Sequence, residues 1–256
     1  MKYLVSYNTS VGIKKNVNQD ALCIKRAKSE DKEYLMTVIC DGMGGLSSGE
    51  LASATVIRYF ANWFEQEFPY MISGLSVEQV KKVWKESIHN LNQKLWNYGK
   101  ENYKQLGTTL TVVLFLPDGR FVTGHVGDTR QYCLDATGVK QITEDQTFIA
   151  REIKRGNMTP EQAMNDPRRN VLLQCIGASG DVEPAFYEGT VTAGEYYLLC
   201  SDGFRHVITE AEIHEAIVGA SLDTEEKISE GIGKLIQMNE SRGENDNITA
   251  VLVKVL

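Results

Sequence analysis

Cysteine is scarce in this sequence, with five residues in 256, and no two of them form a Cys-x-x-Cys pair. Most of these cysteines lie inside apolar segments, where a free cysteine behaves as a small core residue. An odd number of cysteines without paired spacing is not typical of a disulfide framework. We therefore expect reduced thiols and a cytoplasmic location.

Long apolar runs and basic blocks are also missing. The longest apolar stretch, TLTVVLFLP, falls far short of the ~18 residues that a membrane-spanning helix requires. The N-terminal segment MKYLVSYNTS is too short and too polar for a signal peptide. The 34 acidic and 27 basic residues give a net charge of −7. The sequence contains no cluster of basic residues that could bind along the phosphate backbone of a nucleic acid. We expect no nucleic-acid partner and no membrane attachment.

The sequence does contain a set of aspartates in short motifs with glycine or asparagine, spread from end to end. Each of them begins or ends a predicted β-strand, where loops build functional sites on a rigid scaffold. A single Asp-Gly pair usually forms a β-turn, as we expect for Asp118 in Pro-Asp-Gly. Five such positions are harder to explain as turns: Asp20 in NQD, Asp41 in DGMGG, Asp128 in GDTR, Asp202 in SDG and Asp246 in ENDN.

These oxygen ligands favour hard divalent cations. Mg²⁺ and Mn²⁺ bind carboxylate and carbonyl oxygens, whereas zinc and copper sites rely on nitrogen and sulfur. Several carboxylates at one place also repel each other unless a cation lies between them. Gly42, Gly44 and Gly45 permit positive φ angles and a close approach of the backbone, so a carbonyl oxygen could join the ligands. The sequence therefore predicts a metal centre with more than one ion.

The apolar pattern predicts mostly β-strands, with two helices early in the chain and two late. The segments TTLTVVLFL, RFVTGHV, RQYCL and VKQIT are predicted to form a meander of hairpins. Residues 144–185, which contain several glycines and prolines, are predicted to form a flap beside the site. We expect one α+β domain over residues 1–256, with antiparallel sheets covered by pairs of helices. The predicted helices cover 48–68, 77–104, 210–219 and 225–239.

Seven motifs, in one order, extend over nearly the whole chain. Together they resemble the motifs of the metal-dependent protein serine/threonine phosphatases of type 2C, and Met43 resembles the bacterial members. The resemblance implies a four-layer αββα sandwich with two Mn²⁺ or Mg²⁺ ions at one end. It also implies hydrolysis of phosphoserine and phosphothreonine on proteins by direct attack of a metal-bridging water. The motifs are GxxKxxNQD (12–20), DGMGG, GTTL (107–110), VGDTR, ITEDQT (142–147), CSDGF and GENDNIT.

The resemblance further implies a role for each aspartate in the motifs. Asp41 would bridge both ions and take part in catalysis, with the Gly42 carbonyl bound to one of the ions. Asp202 and Asp246 would bind the other ion. Asp20 would lie near the first ion and act mostly through water.

The resemblance also implies roles for four further residues. Asp128 matches a ligand of a third, weaker ion in bacterial members. Lys15 stands where the family usually has arginine, so it would bind the phosphate and assist catalysis, but as a point charge without the two-pronged grip of a guanidinium. Gln19, where many members carry glutamate, and Asn247 would orient the ligands.

Other functions fit part of the pattern. A pseudophosphatase, which binds phosphoproteins without turnover, would explain Lys15 and Gln19, although Asp41, Asp202 and Asp246 are all present. A two-metal nuclease or phosphodiesterase fits poorly with the acidic net charge. A Ser–His–Asp hydrolase is disfavoured because the sequence has no Gly-x-Ser-x-Gly elbow. We expect a monomeric phosphatase that acts on phosphorylated proteins and opposes a partner serine/threonine kinase.

The histidines are not expected to be catalytic. His125, in a predicted strand, and His206, just after SDGF, are predicted to be satisfied residues of the core or of the surroundings of the site. His214 lies in a predicted helix and is expected to be exposed.

Overall fold

A computed structural model of the chain describes residues 1–43, 48–164 and 166–256, with Met164 described by its backbone alone. Within these ranges the strands are β1 (Tyr3–Ser10), β2 (Ala21–Ser29), β3 (Lys32–Cys40), β4 (Leu110–Phe115), β5 (Arg120–Val126), β6 (Arg130–Asp135), β7 (Gly138–Gln141), β8 (Ala185–Thr190), β9 (Tyr196–Cys200) and β10 (Ile248–Val255). The helices are α1 (Gly49–Gln66), α2 (Phe68–Met71), α3 (Val77–Glu101), α4 (Phe148–Lys154), α5 (Pro160–Met164), α6 (Glu210–His214) and α7 (Glu225–Ser241), with a 3₁₀ turn at Asp202–Phe204 and a π turn at Glu215–Gly219.

The strands form two five-stranded sheets in which the recorded pairs are antiparallel. Sheet A has the order β1-β10-β9-β6-β7, and sheet B has the order β2-β3-β4-β5-β8. The first and last strands pair along their whole length, from Tyr3 with Val255 to Ser10 with Ile248. The two ends of the sequence therefore share one edge of sheet A.

Three apolar clusters divide the molecule into four layers. One cluster lies between the sheets and joins Leu35 and Ile39 of sheet B to Leu199 and Val251 of sheet A. A second packs α1 and α3 on the outer face of sheet B, and a third packs α6 and α7 on the outer face of sheet A. Strand β3 is apolar on both faces because sheet B is covered on both sides. The predicted αββα sandwich is confirmed.

The early helices begin where the sequence predicts but end differently. The Ser76 side chain accepts a hydrogen bond from Gln79 N, so α3 begins at the predicted cap. The predicted helix over 48–68 instead ends at Gln66 and is followed by the short α2. Pro69 explains the break, since it has no N–H and its ring clashes with the carbonyl four residues earlier. Phe68 stays fully buried after the break and still packs in the helix layer.

The predicted meander of hairpins is wrong at one connection. Strands β4 and β5 form a hairpin in sheet B, and β6 and β7 form one in sheet A. Between them the chain crosses from one sheet to the other at residues 127–129, with Gly127 at φ +105°. A hydrophobic pattern does not distinguish a tight hairpin from a short crossover, because both join two buried strands.

Two histidines have defined partners in the fold. His125 is fully buried, with Nδ1 3.0 Å from Thr111 Oγ1 and Nε2 3.1 Å from the Gly127 carbonyl. Burial lowers the pKa of His125 to about 4, so its ring is neutral at pH 7 and the core prediction is confirmed. The expectation that His214 is exposed is wrong. It is half-buried, and its Nε2 lies 2.7 Å from the Asp135 carbonyl.

Residues 144–185 contain α4 and α5 and are tied to the sheets at both ends. Gln146 Oε1 accepts from Gly127 N at 2.9 Å, and Ile176 forms a bridge with Thr108. All five cysteines are free thiols, as expected. Of the helices in the described ranges, none is both long enough and apolar enough to cross a bilayer.

Trp84 offers a test of the outer core of sheet B. Its ring is fully buried and meets Phe60 and Trp63 edge-on, with centroids 5.9 and 5.5 Å away. We expect Trp84→Ala to lower the free energy of unfolding by about 3–5 kcal/mol, since a large cavity replaces the ring. Urea unfolding measures the change. Tyr70→Ala, at a side chain that is 88% exposed, serves as control and should stay within about 0.5 kcal/mol of the wild type. Equal midpoints for the two variants would contradict this packing.

Candidate active site

The register of sheet B brings two of the aspartates together. Ala21 pairs with Cys40 where β2 begins and β3 ends. Asp20 and Asp41 directly flank this pair, so both leave the sheet at the same end. A carboxylate from each strand therefore faces the same region, as the strand-end pattern predicts.

The register of sheet A does the same for the other three aspartates. Cys200, the last residue of β9, pairs with Ala250 on one side and with Arg130 on the other. The three chain segments that pass this end of the sheet carry Asp128, Asp202 and Asp246. Since β5 and β6 are joined across the two sheets by residues 127–129, the two groups of acids meet at one end of the sandwich.

The backbone around Asp41 is held on both sides. Asp41 N donates to Thr109 Oγ1 at 2.8 Å, and the Asp41 carbonyl accepts from Thr109 N at 2.9 Å and from Thr108 Oγ1 at 3.0 Å. Gly42 N donates to the Gln19 carbonyl at 3.1 Å. A Cβ at Gly42 would lie 2.6 Å from the same Gln19 oxygen, so glycine is required here by close approach. Gly44 and Gly45 lie outside the described residues.

Asn247 ties the loop between β1 and β2 to the start of β10. Its Oδ1 accepts from Gln19 N at 3.0 Å, and its Nδ2 donates to the carbonyls of Val11 and Val17 at 2.9 and 3.1 Å. The residue is only 3% exposed. Gln19 acts through its backbone N–H and Asn247 through its side-chain amide, and together they position the loop before β2 against the start of β10.

Asp20 carries the clearest sign of a missing positive charge. Both of its carboxylate oxygens are buried, and neither has a hydrogen-bond partner in the described residues. Burial raises the pKa of Asp20 to about 7; the nearby Thr249 and Ser201 hydroxyls oppose the rise, and the negative charges of Asp202 and Asp246 add to it. An orphaned buried carboxylate is costly unless a cation binds it.

Asp41 is electrostatically linked to all four of the other aspartates. Burial raises its pKa well above the usual range, and the charges of Asp20, Asp202, Asp128 and Asp246 raise it further. Asp41 is therefore central among the acids, and a cation near it would relieve the repulsion of the whole group.

The oxygen ligands of the site are of the type that divalent cations bind, but they do not enclose one point. In the part of the chain that the structure describes, no three His, Cys, Asp or Glu side chains form a ready-made group around one ion. Mg²⁺ usually keeps several water ligands and uses only one or two carboxylates. Carboxylates that do not close around a single point are consistent with that type of binding.

Lys15 lies at the mouth of this group. Its Nζ is 2.9 Å from Asp246 Oδ1, and 32% of the side chain is exposed. Partial burial would lower the pKa of Lys15, but the hydrogen bond and charge of Asp246, with the charges of Asp41 and Asp202, outweigh burial and raise it. Lys15 is therefore a protonated cation that faces the acids from the solvent side.

Two basic residues, His206 and Arg205, contact the aspartates, and the sequence did not predict these contacts. His206 places Nε2 3.3 Å from Asp202 Oδ2 and Nδ1 3.3 Å from Glu244 Oε2, which confirms it as a residue of the site surroundings. Burial would lower the pKa of His206, but these two carboxylates outweigh it and raise the pKa. Arg205 lies beside Asp128. The sequence feature that could have indicated these contacts is the pair of basic residues directly after SDGF.

Comparison with known proteins identifies the family. The model of the protein phosphatase 2C family matches residues 9–256. The chain is 30% identical over 229 residues to the serine/threonine phosphatase stp of Listeria innocua, which covers 89% of this chain and 86% of that protein. The crystal structure of the serine/threonine phosphatase Stp1 from Staphylococcus aureus matches with a TM-score of 0.87 and 28% identity, over 100% of this chain and 96% of that chain.

A second solved structure bears on the acidic site. The catalytic domain of the serine/threonine protein phosphatase PstP, in complex with two manganese ions, matches with a TM-score of 0.77 and 27% identity over 100% of both chains. These similarities extend over the same strands and loops that bring the aspartates together. This chain belongs to the protein phosphatase 2C family.

Proposed function

We propose that this chain is a protein serine/threonine phosphatase that depends on divalent cations. The observation that carries this proposal is the convergence of five aspartates and one lysine at one end of the sandwich. Carboxylate oxygens suit Mn²⁺ and Mg²⁺, and a cationic side chain beside them suits a phosphate group. The similar proteins from Listeria innocua and Staphylococcus aureus are serine/threonine phosphatases.

The arrangement supports a specific assignment of the ligands. Asp41 would hold both ions, because the charges of all four other aspartates act on its carboxylate. Asp20 and the Gly42 carbonyl would serve an ion on the side of sheet B, where Asp20 directly precedes β2. Asp202 and Asp246 would serve an ion on the side of sheet A, beside β9 and β10.

The residues of the chain itself prepare the substrate. When bound, paired divalent cations supply an activated water and offset the negative charge of the phosphate. Lys15 donates hydrogen bonds from its protonated Nζ to a phosphate oxygen. To reach a phosphate, Lys15 would leave the Asp246 carboxylate, which lies 2.9 Å from its Nζ. Asp246 would then be free to bind a cation.

The alternative of a pseudophosphatase has no support in the site. All five aspartates lie at one end of the sandwich, and Lys15 carries its positive charge beside them. The replacement of glutamate by Gln19 changes little, because Gln19 holds the loop through its backbone N–H and carbonyl. Its side chain meets Glu50 at 3.2 Å, away from that contact.

We further infer that residues 1–256 fold as one catalytic domain, because a continuous apolar cluster joins both sheets. Residues 144–185 form a flap that borders the site, since Gln146 and Ile176 anchor the segment to residues beside Asp128 and Asp41. A monomeric state, a cytoplasmic location, the lack of nucleic-acid and membrane partners and a cognate kinase stay predictions from the sequence.

Metal dependence is the direct test of the proposed function. Release of phosphate from a phosphoserine peptide should require Mn²⁺ or Mg²⁺ and stop in excess chelator. We expect Asp41→Asn to lower kcat by about 100-fold or more, because it removes charge where the ions are held. The matched control is Asp118→Asn, at the exposed hairpin carboxylate that pairs with Arg120, which should retain normal turnover. Full activity in Asp41→Asn, or activity in chelator, would refute the metal assignment.

Lys15 can be tested as the phosphate contact. We expect Lys15→Ala to lower kcat/KM by about 10- to 100-fold, the value of one charge-assisted hydrogen bond. Lys15→Arg should retain or improve activity. The Mn²⁺ concentration needed for half-maximal activity should not rise in Lys15→Ala, because the substitution frees Asp246. Lys14→Ala, at the exposed neighbouring lysine, is the control. If both alanine variants have wild-type kinetics, Lys15 is a surface charge only.

Asn247 tests how the loops are held. We expect Asn247→Ala to lower the free energy of unfolding by about 1–3 kcal/mol, because Gln19 N and two buried carbonyls lose their partner. Chemical unfolding measures this loss. Asn245, two residues earlier, is exposed, so Asn245→Ala should leave stability unchanged. A fully stable Asn247→Ala protein would show that water replaces the amide and that the side chain does not hold the loops.

A further inference from the structure

An arginine lies against Asp128, the residue for which the sequence predicts a third cation. Arg205 Nη2 is 3.8 Å from Asp128 Oδ2, and it donates to the Asp128 carbonyl at 3.2 Å. The two side chains are only 14% and 11% exposed. The guanidinium is thus part of the interior beside Asp128 and is not placed to swing out toward a substrate.

Arg205 shares a second carboxylate, Asp145, but Asp145 is already paired. Arg130 binds Asp145 with both prongs, Nε to Oδ1 and Nη2 to Oδ2, each at 2.7 Å. Gln141 Nε2 donates to Asp145 Oδ1 as well, at 3.1 Å. The contact between Arg205 and Asp145 is longer than these, at 3.5 Å, but it is shorter than the 3.8 Å between Arg205 and the Asp128 carboxylate. A bidentate pair of this kind already satisfies Asp145, so Arg205 is shared between the two carboxylates and its charge also acts on Asp128.

Two carboxylates and two guanidinium groups meet here, and the negative charge of Asp202 also acts on Asp128. Asp128 and Asp145 contribute two negative charges, and Arg130 and Arg205 contribute two positive charges. All four are at most 21% exposed, so solvent screens them weakly. A divalent cation on Asp128 would bring a further double positive charge next to the Arg205 guanidinium. Such like-charge contacts are unfavourable in a poorly screened site.

We propose that Arg205 is the built-in counter-charge of Asp128 and that it takes the place of a third metal ion in this chain. The proposal rests on the proposed function, because it assumes that the paired ions bind at Asp41. Arg205 is a positioning residue: it holds the loop of Asp128 against the turn that carries Asp202.

The backbone explains how Arg205 reaches this position. Its N–H donates to the Asp202 carbonyl at 3.0 Å, which closes the 3₁₀ turn Asp202–Phe204. A Cβ at Gly203 would lie 2.3 Å from the Asn247 carbonyl, so the turn packs tightly on the start of β10. The guanidinium therefore extends from a rigid turn. It connects the loop of Asp202 to the loop of Asp128, and Asp128 lies 77 residues before Arg205 in the sequence.

The number of Mn²⁺ ions bound per chain tests the proposal. The full chain is freed of metal and titrated with Mn²⁺, and the free ion is followed by electron paramagnetic resonance. We expect the wild type and Asp128→Asn to bind equal numbers of ions. Arg205→Gln should bind about one additional, weakly held ion, since the negative charge of Asp128 is then uncompensated and attracts a cation. Arg205→Gln combined with Asp128→Asn should lose that ion, and Arg205→Lys should match the wild type.

A matched control comes from Arg26, whose Nη2 also bonds one carboxylate, Glu225, and one carbonyl, that of Tyr3. Arg26→Gln should leave the ion count unchanged. Loss of an ion in Asp128→Asn would overturn the proposal, as would an unchanged count in a folded Arg205→Gln protein. If Arg205→Gln does not fold, the comparison of the wild type with Asp128→Asn decides alone. Phosphate release that needs Mn²⁺ supports the proposed function whichever way the ion count falls.

Discussion

Mutual repulsion of carboxylates at one end of two packed sheets is the constraint on which the rest of this molecule depends. Two unit charges 4 Å apart interact by about 4 kcal/mol near a protein surface, so the fold must hold the acids together against their own charge. Burial raises the pKa of Asp20 to about 7 and raises that of Asp41 well above its usual range. Holding these carboxylates together lowers the stability of the fold, and it creates a strong binding site for cations.

The scaffold resists this repulsion through short, buried contacts. The inter-sheet cluster fixes the strands, and Asn247 and Thr109 fix the loops that leave them. The chain supplies positive charge from two sides, with Lys15 on Asp246 and Arg205 on Asp128, and His206 contacts Asp202. The first of these contacts is exposed enough to exchange for substrate, whereas the Arg205 contact is enclosed.

Much of the fold follows from local signals in the sequence. Strand ends, helix caps and apolar segments depend on residues that are close in the sequence. The sequence therefore predicts correctly that a helix begins after Ser76 and that a strand ends before Asp41. The break at Pro69 is also local, but the continuing apolar pattern through Phe68 conceals it. The crossing between β5 and β6 could not be predicted, because Gly127 suits a hairpin and a crossover equally.

The sequence alone determined which atoms could bind a cation, since side-chain chemistry and position at a strand end are properties of short segments. Tertiary structure decided which charges meet. Lys15 with Asp246 and Arg205 with Asp128 are pairs of residues from distant segments, and antiparallel register brings them together only when both sheets have formed. Electrostatic partners depend on distances of a few ångströms, which sequence spacing does not encode.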